Sequence, residues 1–331
     1  MKSIYNANNL PFFDQKEIRL RRNFQDHFAI EVERALRDRN SAWRSEQIEA
    51  PCLIPADMIS PEYDREKMFM VESNDASLRL DFIEWAAKAT APQIEALRSS
   101  ASLPSDDRLS RLIEEDAEFP RFDYSDWLAA WALSRNIAPQ SLALRPETTP
   151  ASYAWLAASI QNNSVRLPFC VWQANKSFRR EQDQPSKHMR LKEFWQQEFQ
   201  CSFAESTADD YQAYLAPKVQ AMIEEMIHCP TRLVESDRLP KYSRRTLDVE
   251  AWNSEKWMEI CSISLRDDFP ISYRPKPTKE EKVLVLEVAI GLDRCVYCFN
   301  LQAQARATAP ADDSQANAPE ASPRKAAARK P

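Results

Sequence analysis

The sequence predicts an α+β fold in which helices flank an antiparallel β-sheet. Residues 15–39 place apolar side chains three and four apart among charges, which is typical of an amphipathic helix. Residues 166–203 alternate in strand fashion on either side of a polar loop at 182–188, which predicts a long antiparallel hairpin. Residues 283–290, VLVLEVAI, are apolar apart from Glu287, which is typical of a buried strand, and a helical segment follows them.

The remaining elements follow in chain order. A short apolar stretch at 46–55 is interrupted by Pro51 and Pro55, which favours an edge strand. Residues 66–72 predict another strand, and residues 77–140 a helical insertion. Residues 211–228 predict a helix that Pro217 begins or kinks.

Composition limits the compartment and the partners of the protein. The 44 basic and 50 acidic residues give a net charge of −6, so no general attraction to nucleic acid is expected and no DNA partner is predicted. No signal-peptide or membrane-spanning run is found, which predicts a cytoplasmic protein without a membrane contact. Seven scattered cysteines suit reduced thiols. The close pair at 295–298, CVYC, is better explained as part of the core than as a zinc site.

The predicted hairpin carries charged groups among aromatic ones. By strand alternation, Arg179 and Glu181 share one face, and Arg190 shares a face with Phe194. Guanidinium groups bind phosphate oxygens bidentately, and an aromatic ring can stack on a base. A polyphosphate site would need these residue types. Taken alone, however, the stretch is more simply explained as a solvated strand face with salt bridges.

Three further motifs flank this hairpin in a recognisable order. LRPET at 144–148 precedes its two strands, RLPFCVWQANKSFRRE and MRLKEFWQQE, and the segments WMEICSISLRDDF at 257–269 and LEVAIGLDR at 286–294 follow them. In this order they resemble the catalytic domain of class II aminoacyl-tRNA synthetases, and glycyl-tRNA synthetases in particular. The resemblance implies that family's antiparallel catalytic sheet. It divides the chain into an N-terminal part of the core with the dimerisation block (1–76), a helical insertion (77–140) and the core with the site (141–301). The last segment (302–331) is rich in alanine, proline and charge without an aromatic residue, which predicts a disordered tail.

The resemblance implies an ATP site on named residues. Arg179 would bind the α-phosphate of ATP and, with Arg294, form the catalytic arginine pair. Glu181 would recognise the adenine amino group, and Arg190 would hold the outer phosphates. Phe194 and Arg294 would stack on the two sides of adenine.

The resemblance also implies an amino-acid and metal site. Glu287 would hold Mg²⁺ and phosphate, while Glu147 and Glu198 would grip the amino group of a small amino acid. Ala289 stands where the glycine enzymes carry a serine that confines the substrate, which leaves alanine and serine open beside glycine. Gly291, the only glycine of the chain, would pass beside the nucleotide, where a Cβ would meet adenine or distort the turn.

Three functions follow from this pattern. The first is ATP-dependent activation of a small amino acid, most simply glycine, and its transfer to tRNA by a homodimer. The second is a ligase that loads a carrier protein or a small acceptor, which the absence of an evident anticodon-binding domain favours. The third is a non-catalytic, synthetase-like accessory subunit of a DNA polymerase, which predicts an eroded ATP site. The glycine depletion has either a compositional origin or an advantage for a supplier of glycyl-tRNA during glycine shortage.

Overall fold

A computed structural model describes residues 13–59, 63, 67–71, 82, 84–86, 88–100, 131, 142–180, 189–207, 210–237, 239–276 and 278–308. These residues form two compact units. The larger unit contains three groups of described residues: those up to Cys52, the single residue Lys67, and those from Arg145 onward. The smaller unit contains the described residues within Leu53–Tyr63 and Met68–Leu144.

A seven-stranded sheet forms the centre of the larger unit. One pair of its strands is parallel, and all the other neighbours are antiparallel. In spatial order the strands are β1 (Arg44–Gln47), β5 (Phe169–Phe178), β6 (Glu193–Ala204), β12 (Val283–Gly291), β9 (Trp257–Arg266), β8 (Ser243–Trp252) and β7 (Thr231–Glu235). The parallel pair is β1 with β5. A separate two-stranded ribbon consists of β10 (Tyr273–Lys276) and β11 (Lys279–Glu281).

Three helices cover one face of this sheet: α1 (Gln15–Arg39), α4 (Tyr211–Ile227) and α5 (Leu292–Thr308). Asp14 caps α1 by accepting hydrogen bonds from two backbone amides, and Glu17 completes the capping box. A further helix, α3 (Thr149–Gln161), packs in a second apolar cluster with the first residues of β5 and β12. Even-numbered residues of β12 therefore face the three-helix layer, whereas Val283 and Val285 face α3.

The smaller unit contains a three-stranded antiparallel sheet in the order β2 (Leu53–Pro55), β4 (Leu142–Leu144), β3 (Phe69–Val71). Its described helix is α2 (Ala91–Ser100). Ile54, Met68 and Ala143 lie in its apolar core. Most of the predicted insertion at 77–140 lies outside the described residues.

The predicted mixed fold with an antiparallel sheet is confirmed, and so are helix α1, the β5–β6 hairpin and the buried strand β12. Three details differ from the prediction. The stretch 46–55 forms two strands, β1 and β2, of different sheets, although each is an edge strand as predicted. Helix α4 begins at Tyr211 after the cap Asp210, so Pro217 does not begin the helix but lies inside it. Helix α5 continues to Thr308, so residues 302–308 of the predicted tail are helical, while 309–331 lie outside the described residues.

Candidate active site

A cavity of about 540 Å³ opens over the sheet of the larger unit, on the face that the three-helix layer leaves uncovered. Nine of the ten site residues predicted from the sequence line it; Glu181 lies outside the described residues. The nine are Glu147, Arg179, Arg190, Phe194, Glu198, Glu287, Ala289, Gly291 and Arg294. The fold thus brings together segments that are up to 147 positions apart in the chain, from Glu147 to Arg294.

Strand alternation explains the floor of the cavity. Residues at every second position of a strand share a face, which places Glu287, Ala289 and Gly291 of β12 on the cavity side. On β6 the same rule brings Glu198 to that side, directly opposite Ala289 in the strand pairing. On β9, Ser262 stands opposite Ala289 from the other direction.

Arginines and an aromatic ring form one end of the cavity. Arg179 follows β5 directly, and its Nε donates to the carbonyl oxygen of Pro146 at 3.1 Å. Its guanidinium carbon lies 5.3 Å from the ring centroid of Phe194, within the range of a cation–π contact. Arg294, in the first turn of α5, donates to the carbonyl oxygen of Glu259 at 2.6 Å. A planar base and phosphate oxygens would find complementary partners here.

Glu198 is almost completely buried, at 3% exposure. Its Oε2 accepts a hydrogen bond from the hydroxyl of Thr148 and, at 3.1 Å, shares the single hydroxyl proton of Thr149 with Glu287, and its Oε1 accepts a hydrogen bond from Gln196 Nε2 at 2.5 Å. Burial, with repulsion from Glu287 and Glu147, raises the pKa of Glu198 to about 7. Burial likewise raises the pKa of Glu147.

Glu287 is held by three donors through the same oxygen. Its Oε2 accepts from Thr149 Oγ1 at 2.6 Å, Gln200 Nε2 at 2.9 Å and Arg266 Nη1 at 2.8 Å. Arg266 also binds both oxygens of Asp268 and lies over the ring of Tyr242, with 4.0 Å between its guanidinium carbon and the ring centroid. The site is therefore a buried network in which hydroxyl, amide and guanidinium donors bind the carboxylates of Glu198 and Glu287.

Several members of this network were missed by the sequence reasoning. They are Arg266, Thr149, Gln200 and Ser262. The signal for Arg266 was present, because an arginine in a strand of alternating apolar residues is buried only when carboxylates face it. Thr149, Gln200 and Ser262 carry no such signal, since their roles depend on which strands are neighbours.

Gly291 requires a correction. Its φ is outside the left-handed region, and a Cβ built there would meet Arg294 Cδ and the carbonyl oxygen of Ile260 at 3.5 Å, which is ordinary van der Waals distance. The predicted distortion of the turn is therefore wrong. Residues that do have left-handed φ values are Asn163, Met189, His228 and Ser254, none of which is glycine.

The fold and this cavity define a class II aminoacyl-tRNA synthetase core. Residues 132–302, more than half of the chain, match the family described as "tRNA synthetase class II core domain (G, H, P, S and T)", and the chain belongs to that family. Among curated proteins, the chain is similar to the glycine–tRNA ligase of Mesoplasma florum, with 28% identity over 180 residues that cover 49% of this chain and 40% of the relative. The glycine–tRNA ligase of Mycolicibacterium paratuberculosis is 29% identical over 186 residues, covering 50% and 40%.

The chain spans about two fifths of the length of these curated relatives. Solved structures show the same fold at low identity. The prolyl-tRNA synthetase of Cryptosporidium parvum has a TM-score of 0.56 and 10% identity, covering 90% of this chain and 50% of that one. The Giardia lamblia prolyl-tRNA synthetase has a TM-score of 0.54 and 16% identity, covering 89% and 49%. None of the described helices is both long and apolar enough to cross a membrane.

Proposed function

We propose that this protein uses ATP to activate a small amino acid, with glycine as the main substrate. It then transfers the amino acid from the aminoacyl-adenylate to tRNA. One observation carries the proposal: a single cavity of a class II core combines a cationic and aromatic end with a buried carboxylate end. The first suits a nucleoside triphosphate, and the second suits an ammonium group. The similarity to glycine–tRNA ligases supports glycine.

The reaction would need no protein nucleophile. A carboxylate oxygen of the amino acid attacks the α-phosphorus, the bond from that phosphorus to the bridging oxygen breaks, and diphosphate leaves. Arg179 would stabilise the charge that develops on the α-phosphate, and Arg190 would bind the outer phosphates. Phe194 and Arg294 would hold the adenine between them. Catalysis then consists of positioning and electrostatic stabilisation.

The carboxylate end would orient the amino acid. An ammonium group offers three donors, and Glu198 and Glu147 supply charged acceptors beside Ala289. Thr148, Thr149 and Gln196 fix Glu198 through the three hydrogen bonds described above. The α-carboxylate would then point toward the arginine end, where the α-phosphate lies.

Glu287 fits a magnesium ion through its second oxygen. Its Oε2 is saturated, but Oε1 accepts no hydrogen bond from the described residues. Protein-bound Mg²⁺ commonly uses one or two carboxylates together with substrate phosphates. Bound there, Mg²⁺ would neutralise part of the charge of the triphosphate, while Arg266 keeps Glu287 in place.

We also propose that the protein is a homodimer in the cytoplasm. The resemblance assigns the interface to α1 and the segment after it, and Ile30 of α1 is 56% exposed, which leaves an apolar side chain for such a contact. Light scattering at micromolar concentration tests this. We expect the mass of two chains, and a monomer would contradict the proposal.

Amino-acid-dependent exchange of pyrophosphate into ATP tests the activation step. We expect exchange with glycine when all twenty amino acids are compared. Transfer of the activated amino acid to total tRNA, against candidate carrier proteins, then identifies the acceptor. Folded protein that exchanges with no amino acid would contradict both enzymatic functions, whereas exchange followed by loading of a carrier alone would favour the second.

A further inference from the structure

Ser262 lies beside the carboxylate end of the cavity, at a position for which the sequence suggested no role. It stands opposite Ala289 in the β9–β12 pairing, and Ala289 stands opposite Glu198 in the β12–β6 pairing. All three side chains line the cavity. Neighbouring strands are about 4.8 Å apart, so the three residues form a row of roughly 10 Å across the cavity floor.

The hydroxyl of Ser262 is engaged with Asp248. Asp248 follows in the same row on β8, and Ser262 forms a side-chain hydrogen bond to its carboxylate. A serine hydroxyl has one proton, and once this is donated only oxygen lone pairs remain for a ligand. Ser262 therefore presents a fixed acceptor and a methylene group to the cavity.

The next serine of β9 on the same face, Ser264, also lines the cavity but is more deeply buried. The Oγ of Ser264 lies 3.0 Å from Oγ1 of Thr246, and the residue is 3% exposed. Its hydroxyl is thus satisfied within the sheet, whereas Ser262 is only half-buried. Of these two serines, Ser262 is the one whose side chain a ligand beside Ala289 would meet.

We propose that Ser262 is a specificity-determining residue that makes the site prefer glycine over alanine; this rests on the proposed function. An amino acid whose ammonium group is bound to Glu198 lies over Ala289, one strand from Ser262. A hydrogen on the β9 side of its α-carbon leaves the polar atoms of Ser262 and Asp248 open to solvent. A methyl group there would cover these polar atoms without offering them a hydrogen bond, which is unfavourable.

The test compares kcat/KM for alanine and for glycine in pyrophosphate exchange. Ser262→Gly removes the whole side chain, and we expect the ratio of kcat/KM for alanine to that for glycine to rise at least about tenfold. Space for one additional methyl group typically changes such a ratio by about this factor or more. Ser262→Ala removes only the oxygen and should raise the ratio less. Ser202→Ala is the matched control, because Ser202 is a buried β6 serine on the same face that lies outside the cavity, and its hydroxyl has no partner among the described residues.

The possible outcomes separate the two proposals. Exchange by all variants with an unchanged ratio would overturn the role of Ser262 and leave the proposed function standing. A wild-type protein that prefers alanine over glycine would likewise overturn the role of Ser262, and the choice of glycine with it, but would leave the activation of a small amino acid standing. No exchange with any amino acid by folded wild-type protein would contradict the proposed function, and the role of Ser262 with it. Thermal unfolding of each variant shows that a changed ratio comes from folded protein.

Discussion

Arg266 and Glu287 form a buried ion pair, with 2.8 Å between Nη1 of the arginine and Oε2 of the glutamate. The side chains are 3% and 10% exposed. The same guanidinium binds Asp268 through Nε and Nη2, at 3.1 and 2.7 Å. One arginine therefore compensates two carboxylates, one of which lines the proposed active site.

Removing this arginine should destabilise the protein strongly. We expect Arg266→Gln to lower the free energy of unfolding by about 3–5 kcal/mol, because Glu287 keeps its hydrogen bonds from Thr149 and Gln200 but loses the positive charge that compensates it in a buried place. Urea denaturation measures the change. Arg274→Gln is the control, since the pair of Arg274 with Glu280 is exposed to solvent and should contribute little to stability. Equal effects of the two substitutions would show that burial of the Arg266 pair does not matter.

Local patterns were sufficient to predict the main elements. Helix α1 follows from its spacing of apolar residues and its capping residues, and strand β12 follows from a stretch of eight residues in which all but Glu287 are apolar. The β5–β6 hairpin follows from alternation on both sides of one loop. In each case the interactions that determine the element connect residues close in the sequence.

The rest depends on contacts between distant segments. The row from Glu198 through Ala289 to Ser262 exists only because β6, β12 and β9 are neighbours, and no local pattern specifies that order. Thr149 reaches Glu287 across 138 positions for the same reason. The division of 46–55 between two sheets could not be predicted either. A proline indicates that a strand can end there, but not that the next strand belongs to another sheet.

The stability of the protein should fall as the pH rises from about 5 to 7. The pKa of Glu198 in the folded state is about 7, above its ordinary value, so between the two values the native state binds a proton that the unfolded chain has lost. That proton stabilises the fold at low pH, and the stabilisation disappears as the pH rises through the folded pKa. The pKa values of Asp248 and Asp293 are raised to about 6 and act in the same direction.

The measurement is the free energy of unfolding at pH 5 and at pH 7.5. For Glu198 alone the loss should be at most about 3 kcal/mol, from 1.36 kcal/mol per pKa unit. Glu198→Gln cannot ionise and should make the loss clearly smaller, with Glu147 and the two aspartates, whose pKa values are also raised, accounting for the remainder. An identical loss in wild type and variant would mean that Glu198 titrates normally.

Glycine should stabilise the protein at Ser254. This exposed residue follows β8 with a φ of 74°, a conformation that costs a residue with a Cβ about 1–2 kcal/mol. We expect Ser254→Gly to raise the free energy of unfolding by about 1 kcal/mol and Ser254→Ala, which keeps the Cβ, to leave it nearly unchanged. A gain with alanine but not with glycine would contradict the explanation by backbone strain. The expected result would mean that the chain avoids glycine at a cost in stability.

Replacing the single glycine of the chain should weaken ATP binding and leave the fold intact. Gly291→Ala adds a Cβ at ordinary contact distances, so we expect an unchanged midpoint of thermal unfolding. If the nucleotide passes beside this position, as the proposed function requires, the KM for ATP should rise at least about tenfold, by the loss of more than 1.4 kcal/mol of binding. An unchanged KM would place the nucleotide elsewhere in the cavity.

Arg179 should be essential for activation and dispensable for folding. Its Nε donates to the Pro146 carbonyl and its guanidinium lies over the ring of Phe194, and both contacts are at the edge of the cavity, outside the apolar core. We expect Arg179→Ala to reduce pyrophosphate exchange by at least about a factor of a hundred, since it removes the positive charge that would stabilise the negative charge developing on the α-phosphate. Arg244→Ala removes an arginine of comparable charge from a surface pair with Glu205, outside the cavity, and should keep full exchange. Wild-type exchange by Arg179→Ala would show that the α-phosphate is bound by another residue.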